Sequence, residues 1–166
     1  DGFKKILKDK NSHVAYWVYQ LTATGNIVPS VPSYDFTAKN ALPKAMTDFG
    51  TFLTVAHAME DAGVRMYLTA VQKLITNKAF RTDAVNMATT NARHAAHVRM
   101  LRRNLGVDMM AWVIGTEPNS IVGEIKKAYQ NEDNTMQLKI NTVGINGFDI
   151  SFDTATSSFD EPLAEA

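Results

Sequence analysis

Three observations predict an all-α helical bundle with one long crossover and an extended C-terminal segment. Apolar residues recur at spacings of three and four along three stretches, the period of one face of a helix. A linker rich in proline and turn formers separates the first stretch from the second, whereas only a few residues separate the second from the third. The composition agrees. With 166 residues, 45% of them apolar, the chain can bury the core of a single domain. It has no cysteine, which excludes a disulfide scaffold, a thiolate zinc site and a cysteine nucleophile, although large secreted domains also manage without disulfides. The 17 Lys+Arg balance 17 Asp+Glu, which excludes a histone-like or acidic-tail protein. No run approaches the roughly 20 apolar residues of a membrane span.

The first stripe, Phe3, Ile6, Leu7, Val14, Trp17, Val18 and Leu21, predicts a helix over 3–22. Residues 23–43, ATGNIVPSVPSYDFTAKNALP, carry three prolines and a glycine and read as linker. Pro43 suits the first turn of a second helix, 43–76, whose stripe is Phe49, Phe52, Leu53, Ala56, Gly63, Val64, Tyr67, Val71 and Leu74. A break at Thr76-Asn77-Lys78 precedes a third stripe, Phe80, Ala84, Met87, Ala95, Val98, Leu101 and Leu105, with Gly106 placed to end a helix over 78–105. The short second connection forces its two helices antiparallel. The long linker is able to run back along the first helix and set it parallel to the second.

Beyond Gly106 the periodicity weakens. MMAWVIG is a short apolar patch, residues 118–129 suit a short helix begun by Pro118, and MQLKI alternates like a strand. A bundle over 1–130 and a C-terminal segment over 131–166 packed on it are therefore expected. The last twenty residues hold five acids and no base, with Phe148, Phe152 and Phe159 spaced as anchors.

Polar residues that interrupt the apolar stripes are the informative ones: Lys10 and His13 in the first, Glu60 with His57 one turn earlier in the second, Asn91 and His94 in the third. Lys10, His13, Glu60, Asn91 and His94 should face the interior, where burial costs several kcal/mol unless they satisfy one another or bind something. Two readings stand: a hydrogen-bonded core network, or the remnant of a metal site built from i, i+3 pairs. His57/Glu60 and His94/His97 are also i, i+3 pairs and offer an alternative mononuclear ligand set, against which His57 and His97 read as stripe-edge residues bridging core and solvent. Met46, Met59, Met66, Met87, Met100, Met109 and Met110 read as core filler. Arg93, Arg99, Arg102 and Arg103 read as a solvated helix end onto which the acidic tail folds, without the aromatic platform of a nucleic-acid site. No phosphate loop, dinucleotide fingerprint or nucleophile elbow occurs, and no residue is assigned as catalytic.

Several segments resemble the desiccation-related, ferritin-like proteins of plants, fungi and bacteria. ILKDKNSHV is similar to that family's second-helix motif, LTVAHAMEDAGVRMYLTA to its third-helix motif, NARHAAHVR to its EARHAA segment and SSFDEPL to the stretch after its bundle. The resemblance implies a ferritin-like bundle whose first helix is absent from this sequence. DGFKKILKDK, with neither an initiator methionine nor a signal peptide, fits a trimmed chain. It also implies that His13, Glu60 and His94 occupy ligand positions of a dinuclear site, while Lys10 and Asn91 stand where carboxylates are expected. On this basis Lys10 replaces the metal's charge beside Glu60. The function expected is that of a structural or stress-associated protein with a degenerate metal site, acting by assembly or surface binding, without a cofactor and not as an enzyme. The alternative is a di-iron-type oxidoreductase or metal-storage protein holding iron or another divalent metal. The seam left by a missing helix implies self-association or a second subunit, with no nucleic-acid partner and no membrane span. The resemblance implies an extracellular or cell-envelope setting.

Overall fold

The first apolar stripe becomes α1, Gly2–Ala23, in the computed structural model, which describes residues 1–116 and 123–163. Lys5 and Asp9 pair one turn apart on its exposed side. Its end is closed by two backbone bonds, Asn26 N–H to Leu21 C=O at 2.8 Å and Gly25 N–H to Thr22 C=O at 3.1 Å. That closure needs a left-handed residue, and Gly25 supplies it at φ 73°. The residues Asp1–Asp35 form one unit of the chain and Phe36–Ala166 the other.

In the second unit the long helix α2 spans Phe49–Lys73, and does not begin at Pro43. Residues 43–47 instead form turns, with Ala45 N–H bonded to Leu42 C=O and Thr47 N–H to Lys44 C=O. The reason is Asp48, whose carboxylate accepts the Thr51 N–H at 2.8 Å and the Thr51 hydroxyl at 2.7 Å, caps the helix and thereby fixes its start. These bonds, the hydroxyl's first, hold the Asp48 carboxyl below its usual range. Asn77 repeats the device for α3, Lys78–Asn104, by accepting the Phe80 N–H at 3.1 Å. Gly106, at φ 89°, closes α3 as Gly25 closes α1.

α2 and α3 pack on each other through Leu53 and Val64 on one side and Ala84, Met87, Ala88, Ala95 and Val98 on the other, all buried. The alanines permit close approach of the two helices, and the short connection at 74–77 sets them antiparallel. A 3-10 segment, Gly123–Tyr129, carries the fully buried Tyr129 against Ala58, with Val113, Ile125 and Ala128 around it. The expected helix start at Pro118 lies outside the described residues.

MQLKI is not one strand. It folds into a hairpin, β1 Met136–Gln137 paired with β2 Ile140–Asn141, because Leu138 and Lys139 both adopt positive φ, 49° and 70°. Two successive left-handed residues make the tight turn whose twist matches that of the paired strands. A final short helix, α4 Phe152–Thr156, is capped by Ser151, and its buried Thr156 hydroxyl accepts the Gly115 N–H at 3.2 Å. The rest of the C-terminal segment is held by Arg65 of α2, whose backbone carbonyl accepts the Leu163 N–H at 3.3 Å.

Candidate functional site

The polar residues at the α2–α3 interface sort into four groups. The first is the pair that the sequence singled out. His94 Nδ1 lies 3.5 Å from Glu60 Oε2, with both side chains at least nine-tenths buried. Asn91 is buried one turn before His94 on α3. Lys10 and His13 stand on α1, in the other unit, and both are half-buried. Among the described residues no group of three or more His, Asp or Glu side chains is placed to hold a metal ion.

His57 is the centre of the second group. It is fully buried and not at a stripe edge. Arg102 Nη1 approaches its Nδ1 to 2.7 Å. A guanidinium nitrogen only donates, so Nδ1 accepts and the ring proton sits on Nε2. Burial first, then the charges of Arg99 and Arg102, push the imidazole down to about 2. His57 is therefore neutral and already engaged, whereas His97 is exposed.

The third group is a buried triad. Arg99 donates to Asp61 Oδ2, and the Tyr129 hydroxyl donates to the same oxygen at 2.5 Å. The guanidinium reaches on to the Trp112 carbonyl at 3.4 Å. Of the four arginines expected to form a solvated helix end, Arg99 and Arg102 are thus buried, and only Arg93 and Arg103 are exposed. Their positions continue the inward stripe of α3 through Ala95 and Val98, and their partners on α2 offset the cost of burial.

The fourth group centres on Arg65, buried one helical turn beyond Asp61. Its guanidinium donates to the carbonyls of Ala128, Gln130 at 2.5 Å, Pro162 at 3.1 Å and, through Nε, Glu161 at 2.8 Å. Its Nε also lies 2.7 Å from Glu132 Oε1. The single Nε hydrogen is directed at the Glu161 carbonyl, so Glu132 receives charge compensation but no aligned bond. Burial dominates, and with Asp160 and Asp61 it pushes the Glu132 carboxyl up to about 8, against the pull of Arg65 and of the nearby Glu161 N–H.

These last two groups line a cavity of about 280 Å3, whose other walls are Val64, the α3 alanines Ala92, Ala95 and Ala96, and the segment 111–113. Asp61, Arg65 and Glu132 were not singled out in the sequence. The signal for the first two was present: Asp61 and Arg65 are i, i+4 on the helix that bears Glu60, inside a stripe of otherwise apolar neighbours. The methionine expectation also needs correction. Met87 and Met109 are buried, but Met46, Met59, Met66, Met100 and Met110 are exposed, because they fall on the helix and loop faces opposite the alanine-lined contact.

No helix among the described residues is long and apolar enough to cross a membrane. No curated protein and no solved structure matches the chain. The family model for the ferritin-like domain matches residues 1–104, the span that ends with α3. With three long helices and a hairpin as its only described sheet, this all-α chain belongs to the ferritin-like domain family.

Proposed function

We propose that this ferritin-like chain is a structural, stress-associated protein of the desiccation-related type, acting by assembly or surface binding without a working dinuclear centre. The observation that carries the reading is the placement of two cations, Arg99 and Arg102, inside the same α2–α3 interface as the Glu60–His94 pair. Dinuclear carboxylate bundles take a Glu from each of two helices and Glu-x-x-His from two others, concentrating negative charge. Here α3 carries Asn91-x-x-His94 and α1 carries Lys10-x-x-His13. One carboxylate and one imidazole beside two guanidinium groups do not fit a pair of divalent ions. The interface is stabilised instead by arginine bonds, a structural use of the same interior.

The decisive experiment is metal analysis of the purified chain, followed by Asn91→Glu with Lys10→Glu. The wild type should retain well under one iron or manganese per chain, and restoring both carboxylates should raise the bound amount. Near-stoichiometric metal in the wild type would reverse the reading in favour of metal storage or di-iron oxidation, which the proximity of Glu60 and His94 favours.

Self-association belongs to the same proposal. Phe49, Phe52, Met59 and Met66 are all exposed along α2 at helical spacing, an apolar stripe suited to another helix. Sedimentation of the full chain should show a dimer or larger species; a monomer at all concentrations would remove this part. An extracellular or cell-envelope setting is proposed with it, on the resemblance to desiccation-related proteins, and fractionation of the source cells checks it.

A further inference from the structure

Residues 158–163 cross α2 as a strap held by polar bonds. Arg65 donates to the Glu161 and Pro162 carbonyls, and its own carbonyl accepts the Leu163 N–H. The Thr69 hydroxyl donates to the Leu163 carbonyl at 3.1 Å. From the hairpin side, the Asn134 and Gln137 amides donate to Glu161 Oε1 at 3.0 and 2.6 Å. None of the strap's own side chains is buried. A segment with so little buried apolar contact opens locally, at a lower free energy than global unfolding.

The strap stands between two spaces. On one side is the cavity of about 280 Å3, walled by Tyr129, Glu132 and Ala95 among others. On the other, a groove of about 520 Å3 runs past Leu68, Val71 and Gln137. Val64, Ala92 and Asp160 line both, and of these three Asp160 is carried by the strap.

Glu132 couples the strap to protons. Its side chain is 1% exposed. It faces Arg65 and Asp61 of α2, and the Asp160 carboxylate and Glu161 N–H of the strap. Arg99 of α3 faces Asp160 in turn, and Asp133, next in the chain, is exposed. Burial is the largest influence and pushes the Glu132 carboxyl up to about 8, so under the closed strap it is protonated at neutral pH. Arg65 and the Glu161 N–H pull the other way without reversing the sum. The Arg65 Nε hydrogen has two acceptors in range, the Glu161 carbonyl at 2.8 Å, which takes it, and Glu132 Oε1 at 2.7 Å. A neutral carboxyl competes weakly for that hydrogen, whereas a carboxylate competes strongly, because charge-assisted bonds are the stronger ones.

We propose that residues 158–163 are a proton-sensitive gate: when Glu132 ionises it takes the Arg65 Nε hydrogen from the Glu161 carbonyl, the strap lifts, and the cavity opens into the groove. The Glu132 proton passes to water, and Arg65 keeps the Ala128 and Gln130 carbonyls as acceptors. Once hydrated, the carboxyl returns toward its ordinary 4.5, so opening releases a proton anywhere between 4.5 and about 8. The closed strap is favoured fully below that window, and its opening constant rises about tenfold per pH unit within it.

The test is amide hydrogen exchange of the full chain from pH 5 to 6.5, each rate divided by that of the free amide at the same pH. Protection of the Leu163 N–H should fall about tenfold per pH unit. Protection of Ala95 and Val98 in α3 should be higher and level over this range, because lifting the strap exposes Glu132 but leaves His57 buried. Glu132→Gln should make Leu163 protection independent of pH. The chain has no cysteine, so Ala95→Cys places a single thiol on the cavity wall. At pH 6.5 that thiol should be labelled about tenfold faster, or more, with Glu than with Gln at position 132. Carbon-13 titration of the Glu132 carboxyl in the unaltered chain keeps the test if the Gln variant does not fold, and its midpoint should lie well above 4.5. Level Leu163 protection, Leu163 and Ala95 falling together, an unchanged slope in Glu132→Gln, equal labelling, or a midpoint near 4.5 would each overturn the proposal.

Discussion

Arg102 sets its Nη1 2.7 Å from Nδ1 of His57 across the α2–α3 interface, so a guanidinium and an imidazole meet there as donor and acceptor, with one charge between them. The pair tolerates burial only while His57 is neutral. Protonating the ring would place two cations in contact and remove the acceptor at the same time.

The first prediction concerns acid. The folded imidazole is held down to about 2 against an ordinary value of 6.5. The folded state therefore binds fewer protons than the unfolded state between those values. Its contribution to stability is fully present above about 6.5 and is lost as pH falls toward 2. Urea midpoints measured from pH 7 down to pH 4 should fall in a Glu132→Gln background, and adding His57→Gln, which keeps an acceptor without a titrating ring, should flatten that decline.

A second prediction concerns Glu132, whose slope has the opposite sign. Its carboxyl is raised from 4.5 to about 8, so the folded state holds an extra proton across that range. Its contribution is fully present below 4.5 and is lost as pH rises to about 8. Between about 4.5 and 6.5 the two slopes cancel, and above 6.5 only that of Glu132 remains. Stability from this pair should be level across the acidic window and then decline toward pH 8. Glu132→Gln should abolish the alkaline decline and expose the His57 slope, which would otherwise be masked; denaturation curves of the two variants over pH 4–8 check both.

Third, Asp61 receives two donors on one oxygen, from Arg99 and Tyr129. Removing the acceptor strands a buried cation. Asp61→Ala should cost about 3–5 kcal/mol, and Tyr129→Phe about 1–2 kcal/mol. Because both act through the same carboxylate, the double variant should lose less than the sum of the two. Chemical denaturation of the four proteins gives the coupling directly.

Fourth, Asp48 rather than Pro43 begins α2. Asp48→Ala should destabilise the unit by about 1 kcal/mol and fray the first turn, whereas Pro43→Ala should leave the helix start in place. Amide exchange at Thr51 and Phe52 distinguishes the two outcomes.

The three long helices were legible because their signals are local: a stripe at helical period and a glycine at the end of α1 and of α3. The error at Pro43 shows the limit. A proline is compatible with a helical first turn, but Asp48 with Thr51 three residues on closes a competing side-chain cap. MQLKI shows the same limit in a strand, since alternation says nothing of a turn that Leu138 and Lys139 make at positive φ, a conformation neither residue favours. At the candidate site, Glu60 and His94 were visible as polar breaks in apolar stripes, and the structure brings them within 3.5 Å. His57, Arg99 and Arg102 were seen but placed near solvent, because a charged residue at a helix end has a cheap explanation in water. Their burial depends on partners across a helix pair, and such pairing is fixed by tertiary register and not by the sequence around either member. Glu132 and its link to Arg65 were beyond reach for the same reason: they stand 67 positions apart, 132 minus 65.

Arg65 gathers its acceptors from stretches made at different times. The Glu161 carbonyl lies 96 residues downstream of the side chain that binds it. During synthesis α2 is complete long before that acceptor exists, so the guanidinium must remain hydrated, or make do with Ala128 and Gln130, until Glu161 leaves the ribosome. The segment around Glu161 and Pro162 then works as a clasp that dehydrates an arginine already in position. A chain stopped just short of Glu161 would keep both long helices of this unit, yet carry an unfinished charge at their centre, a defect visible to quality-control proteases.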